Sequence, residues 1–135
     1  MLVGEYQHSL DDKGRLILPA KFRDDLAGAF VTSQVDGCLA VWPPGEFEVR
    51  AQEMRERGKG GAADRQVARA FFAGTAEAPP DKQGRVAIPG HLREFAGLQR
   101  EVAVIGQFDH VEIWDATRWQ QQRTAGNEAL AAGAE

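Results

Sequence analysis

One polar position heads a short apolar run, Arg15-Leu16-Ile17-Leu18, before Pro19, and the same pattern returns as Arg85-Val86-Ala87-Ile88 before Pro89. Such a run with β-branching predicts a strand at each site, and the Asp-x-x-Gly turn before each predicts a β-hairpin with a polar tip. The partner strand would be the extended stretch 5–10 in the first half, and Gly14 and Gly84 can supply the positive φ such a turn needs. Pro19 and Pro89 cannot continue a central ladder but suit the first position of a helix. Residues 20–26 and 90–96 therefore read as one or two helical turns, stopped by Gly28 and Gly97. A second hairpin follows in each half: residues 30–33, an Asp36-Gly37 turn and 39–42, then 102–105, a turn near Asp109 and 111–114.

The recurrence is an internal repeat, with Arg15 and Arg85 separated by 70 residues. Gly4 answers Gly74, Phe22-Arg23 answers Leu92-Arg93 and, after a two-residue slip, Leu39-Ala40-Val41-Trp42 answers Val111-Glu112-Ile113-Trp114 and Phe47 answers Trp119. Between the halves, residues 46–57 and 64–72 have helical composition, with Phe47, Ala51 and Met54 on one face and Val67 and Phe71 on another. Gly58-Lys59-Gly60-Gly61 separates them. A last helix starts at Asp115, an N-cap candidate, and runs to about Glu128, leaving 129–135 as a fraying tail. The pattern divides the chain into 1–57, a first unit with its following helix; 58–73, linker and connecting helix; 74–128, a second unit with its C-terminal helix; and the tail.

With 135 residues, 16 Lys+Arg against 20 Asp+Glu and 43% hydrophobic positions, the chain is neither disordered by composition nor a nucleic-acid binder driven by overall charge. Two units of this size would share one core, since neither could bury enough apolar surface alone. Cys38 is the single cysteine, which excludes an intramolecular disulfide framework and a Cys-rich zinc site and fits a reducing cytoplasm. The start of the chain lacks a basic leader, and no stretch reaches the roughly 18 apolar residues of a membrane span, so the chain reads as soluble and unprocessed. Catalysis finds no support. His8, His91 and His110 are isolated, Ser9 and Ser33 lack a nucleophile elbow, and Asp11 and Asp12 diverge as sequence neighbours. No cofactor is implied.

Gly4-Glu5, His8-Ser9-Leu10-Asp11, Lys13-Gly14-Arg15, Pro19, Lys21-Phe22-Arg23, Trp42-Pro43, Asp81-Lys82-Gln83-Gly84-Arg85 and Glu112-Ile113-Trp114 together resemble the MraZ family of bacterial transcriptional regulators. The resemblance runs from Met1 to about Arg123, and the doubled Asp-x-x-Gly-Arg motif is its most specific part. It implies a mainly β protein with short helices (α+β), built as two pseudo-symmetric AbrB-like swapped-hairpin β-barrel units intertwined in one chain. It further implies ring-shaped homo-oligomers, a nucleoid-associated cytoplasmic location, and sequence-specific binding of double-stranded DNA at tandem repeats in the promoter of the division and cell-wall gene cluster. Repression follows if the bound ring occludes that promoter.

On that resemblance the DNA-facing surface maps onto the turns formed by Asp11, Gly14, Asp81 and Gly84, with Lys13, Arg15, Lys82, Arg85 and Lys21 as the DNA-binding residues. Arg15 and Arg85 can each pair bidentately with guanine O6 and N7. The competing reading is an ion pair with Asp11 or Asp81 across the turn, and both hold if the carboxylate orients the guanidinium. Lys13, Lys82 and Lys21 are candidates for phosphate contacts, whereas Arg23 and Arg93 read more readily as solvated helix positions. The first loop has Lys13 where the second has Gln83, so the two need not touch DNA equivalently. Trp42, Trp114, Phe47, Trp119, Phe71 and Phe72 read as core or subunit-interface residues, and Phe71→Asp would break a ring joined through the 46–72 helices. The alternative function is an AbrB-like protein-interaction or antitoxin-type module whose arginines are structural.

Overall fold

The computed structural model describes residues 1–133. In chain order it contains β1 (Glu5–Ser9), β2 (Arg15–Ile17), a 3₁₀ turn (Ala20–Phe22), β3 (Phe30–Gln34), β4 (Cys38–Trp42), α1 (Pro44–Arg57), α2 (Ala62–Gly74), β5 (Ala76–Glu77), β6 (Arg85–Ala87), α3 (Gly90–Phe95), β7 (Glu101–Gly106), β8 (Val111–Asp115) and α4 (Ala116–Ala131). It is an α+β protein whose strands form a six-stranded antiparallel sheet, β1-β7-β8-β4-β3-β5, and a separate two-stranded ribbon, β2-β6. The ladders show no closure of the six-stranded sheet into a barrel.

The hairpin expected between 5–10 and 15–18 does not form. Asp11 N–H donates to Arg15 O at 2.9 Å, closing the turn, but Leu10 N–H already bonds Arg100 O and Leu18 N–H bonds Gly84 O. Each first strand instead joins the other half: β1 pairs with β7, β5 with β3, and β2 with β6. A lone two-stranded hairpin is marginal in water. The exchange gives β1 and β5 ready-made sheet edges and places Leu16 opposite Val86, both fully buried, at the centre of one shared core.

That core lies between the ribbon and one face of the sheet. Leu16, Leu18, Val86 and Ile88 meet Val31, Leu39, Val41, Val104 and Ile113, while Phe22 and Leu92, from the 3₁₀ turn and α3, and Leu26 and Ala96, just beyond them, close the sides. Burying each such side chain contributes about 1.5–3 kcal/mol. A pseudo-two-fold axis runs through the Leu16/Val86 pair and the Ala40/Glu112 pair, whose registers are symmetric about those residues. On the sheet's other face Cys38, Ala103, Ile105 and Trp114 pack beneath Trp119 of α4. Trp42 is also buried, its Nε1–H donating to Thr32 Oγ1 at 2.9 Å, and its ring stacks on His110 with centroids 4.2 Å apart.

The helices between the halves form as the sequence predicts, with Met54, Ala68 and Phe71 packed together and Phe47 against them. Phe71 is only 4% exposed, so Phe71→Asp would strike this cluster rather than a subunit contact; Phe72, at 44%, is the exposed neighbour. Asp115 occupies the N-cap position of α4 without capping it: its carboxylate accepts the Gln99 amide at 3.2 Å. The helix is held instead by Arg118, which donates to the carbonyls of Asp36, Gly37 and Ala96. It continues through Ala131, past the point where fraying was expected, while Ala134 and Glu135 of that tail lie outside the described residues.

Candidate nucleic-acid interface

The two Asp-x-x-Gly-Arg turns are built alike. Asp11 Oδ1 accepts the amides of Lys13 (2.9 Å) and Arg15 (2.8 Å), while Oδ2 accepts Arg15 Nε–H at 2.7 Å. Asp81 repeats this with Gln83 and Arg85, at 2.9, 2.9 and 2.8 Å. An aspartate suits this position because its short side chain reaches both the backbone two residues on and the guanidinium four residues on. The hydrogen bond from the Arg15 amide, ahead of the Arg15 side chain, holds the Asp11 carboxyl below the usual range despite partial desolvation, and Asp81 behaves likewise with Arg85. Both carboxylates are therefore ionised and turned into their own loops. The ion pair engages each guanidinium through its Nε–H and leaves the Arg15 and Arg85 side chains 31% and 27% exposed.

Each loop leans on an arginine of the opposite half. Gly14 (φ +73°) and Gly84 (φ +80°) are left-handed, and a Cβ at Gly14 would lie 2.8 Å from the Arg93 guanidinium carbon, as one at Gly84 would collide with Arg23. Arg93 Nε–H donates to Ile88 O at 3.1 Å and Arg23 Nε–H to Leu18 O at 3.2 Å, so both side chains are anchored rather than splayed on a solvated face. Composition could not reveal this, because the exchange depends on the ribbon pairing. Glycine was required twice over, for φ and for the close approach.

The ribbon register sets the arginines side by side. Arg15 faces Ala87 and Arg85 faces Ile17, with the buried Leu16/Val86 pair between. Because side chains alternate, Arg15, Ile17, Arg85 and Ala87 share the outer face of the ribbon. Two residues along and one strand across puts the arginine Cα atoms roughly 8 Å apart. Lys13 and Lys82 stand exposed at the loop tips, as does Asp12. Lys21 lies apart from them, on the 3₁₀ turn, with its ammonium 5.1 Å from the Tyr6 ring centre and 5.8 Å from that of Phe22. The sequence reading missed Ile17, although its place two residues after Arg15 in an alternating strand carries the signal. Among the described residues no group of three or more His, Cys, Asp or Glu is placed to hold a metal, and no helix is long and apolar enough to cross a membrane.

Fold and surface together define a tandem-repeat protein in which two halves exchange strands to present a pair of Asp-braced arginines on one ribbon. The chain belongs to the MraZ family: the family model, described as "MraZ protein, putative antitoxin-like", matches residues 1–70 and again 71–135. Similar curated proteins, each named Transcriptional regulator MraZ, come from several bacteria. One from Salinispora tropica is 51% identical over 121 residues, covering 89% of this chain and 85% of the relative. One from Clavibacter michiganensis subsp. michiganensis is 47% identical over 136 residues, covering 100% and 95%. A third, from Symbiobacterium thermophilum, is 45% identical over 120 residues, covering 88% and 87%.

Proposed function

We propose that the protein is a DNA-binding transcriptional regulator that reads duplex sequence with the β2-β6 ribbon, in line with the printed names of its relatives. The observation that carries the reading is the shared outer face of Arg15 and Arg85, each braced by an aspartate. A two-stranded ribbon fits the major groove, about 12 Å wide, where arginine pairs bidentately with guanine. At about 3.4 Å per base pair, the arginine spacing matches guanines about two steps apart. Lys13 and Lys82 at the loop tips supply phosphate contacts, and Lys21 supports them from the 3₁₀ turn.

One ribbon per chain carries few cations on a protein of net charge −4, so affinity comes from several subunits on one duplex. That argues for a homo-oligomer, a ring on the family resemblance, engaging tandem repeats upstream of the division and cell-wall genes at the nucleoid. Occlusion of the promoter makes it a repressor. Fluorescence anisotropy with duplex from upstream of its own gene, against a scrambled duplex, tests the reading. Wild type should prefer the native duplex, and the Arg15→Ala/Arg85→Ala variant should lose the preference while keeping its oligomeric mass. Equal binding to both duplexes, unchanged in the variant, overturns it.

One observation favours a second reading, a protein-interaction module. Val35, Val67 and Phe95, exposed by 71%, 38% and 50%, line a groove of about 520 Å³ formed with Arg50, Met54 and Phe71. That reading expects weak, sequence-indifferent DNA binding that Arg15→Ala leaves alone.

A further inference from the structure

Ile17 is 46% exposed in the middle of the ribbon's outer face, between Arg15 on its own strand and Arg85 directly opposite. Leu16 and Leu18 on either side of it are fully buried and belong to the core, whereas Ile17 does not. A strand position facing water ordinarily takes a polar side chain, and this large apolar one stands between two cations, where hydrophobic association with another protein would have to desolvate both guanidiniums. Duplex DNA solves both problems at once: guanine edges take the arginines, and the one apolar group lining the major groove, the thymine C5-methyl, takes the isoleucine.

We infer that Ile17 is a specificity-determining residue that packs against a thymine methyl, next to the guanine paired with Arg85. The inference rests on the reading of the ribbon as the DNA-facing surface. Ala87, the pseudo-symmetric counterpart of Ile17, presents a single methyl opposite Arg15. The ribbon thus reads asymmetrically, with a stronger thymine preference on the Ile17 side.

Replacing thymine by deoxyuracil removes only the methyl and keeps base pairing. The probe is a duplex that the full-length protein itself recovers from a random pool, scanned with single thymine-to-uracil replacements. One buried methyl corresponds to about fourfold in affinity. Wild type should lose about that factor at a thymine beside a guanine. Ile17→Ala should lose a similar factor on the parent duplex and no longer distinguish thymine from uracil there. Ile17→Val, which keeps a branched strand residue, should retain part of the difference, and circular dichroism confirms that the variants fold. If wild type enriches a sequence yet binds every uracil duplex as well as the parent, the methyl contact is wrong and base reading stands. If Ile17→Ala keeps the thymine–uracil difference, or changes oligomeric mass instead, the assignment to Ile17 is overturned. If the pool yields no preferred sequence, base reading itself falls and takes the methyl contact with it.

Discussion

The two loops share a brace but differ in what they offer. In the second, Arg85 Nη2–H donates to Gln83 Oε1 at 2.9 Å in addition to its Asp81 contact, so its guanidinium is gripped on two sides within the loop. In the first, Lys13 takes the place of Gln83 and Asp12 that of Lys82, so the gripping amide is exchanged for a cation beside Arg15 and the cation at the tip for an acid. The charges of the first loop cancel while the second keeps one net positive charge, so the second loop is both the more electropositive and the more tightly held. Duplication copied the backbone, the aspartate and the glycine, which the turn requires, and left the outward positions free to diverge. Such divergence suits a surface that meets a duplex with different bases on its two sides.

The largest expected effect removes what the loops share. Leu16→Ala empties the centre of the core on the pseudo-axis and should cost about 2–5 kcal/mol in urea unfolding. Because the ribbon joins both loops, hydrogen exchange at the Gly14 and Gly84 amides, each bonded to its aspartate's carbonyl, should accelerate together. Acceleration at Gly14 alone would show that the halves are mechanically independent. Next come the arginines: Arg15→Ala and Arg85→Ala should each relax base discrimination by about 1–3 kcal/mol. The pre-gripped Arg85 should be the costlier to lose, and equal losses would mean that the Gln83 contact does not matter to reading. Smaller still, Gln83→Lys should steepen the dependence of log affinity on log salt by about one unit per loop engaged, and Lys13→Gln should flatten it by as much. Unchanged slopes in both variants would place these side chains away from phosphate.

Much of this comparison was visible before the structure. Short apolar runs with β-branching, the Asp-Gly turn and the prolines placed the strands and short helices, because these signals are local. The partner of each strand was not local. Nothing near Arg15 says that Leu16 will face Val86 rather than a residue of 5–10, and the choice is made by burial across 70 residues. For the same reason Arg23 and Arg93 looked like solvated positions until the exchange brought each onto the other half's glycine. Asp36-Gly37 turns as its sequence predicts, both residues having positive φ, 71° and 77°, whereas Phe108 adopts 71° in the corresponding turn without any residue that favours it. The backbone carbonyl of Leu2 holds it there, accepting the Phe108 amide at 2.6 Å.

That second turn also makes the halves differ in their response to pH. His110 lies between Asp109, with Nδ1 to Oδ1 at 2.6 Å, and Glu112, with Nε2 to Oε2 at 3.8 Å. Burial lowers its pKa, but the two carboxylates outweigh burial and raise it, while Glu112 is lowered in return. A raised histidine stabilises the fold fully below the unfolded value of about 6.5, and the contribution disappears as pH rises through the folded value. The loops respond in the opposite sense: with their carboxyls lowered, they keep their contribution until acidification passes below the ordinary carboxylate range, near 4. Of the two corresponding hairpins, therefore, only the second loses stability as pH rises above the ordinary histidine value of about 6.5, while His8 in the first half, held low by burial and by Arg23, responds on acidification. Trp42, stacked on the imidazole, reports it directly, so Trp42 emission should shift as pH rises above about 6.5 in wild type and stay flat in His110→Gln. A shift that survives in His110→Gln would move the titration to another group and leave the two halves alike in this respect.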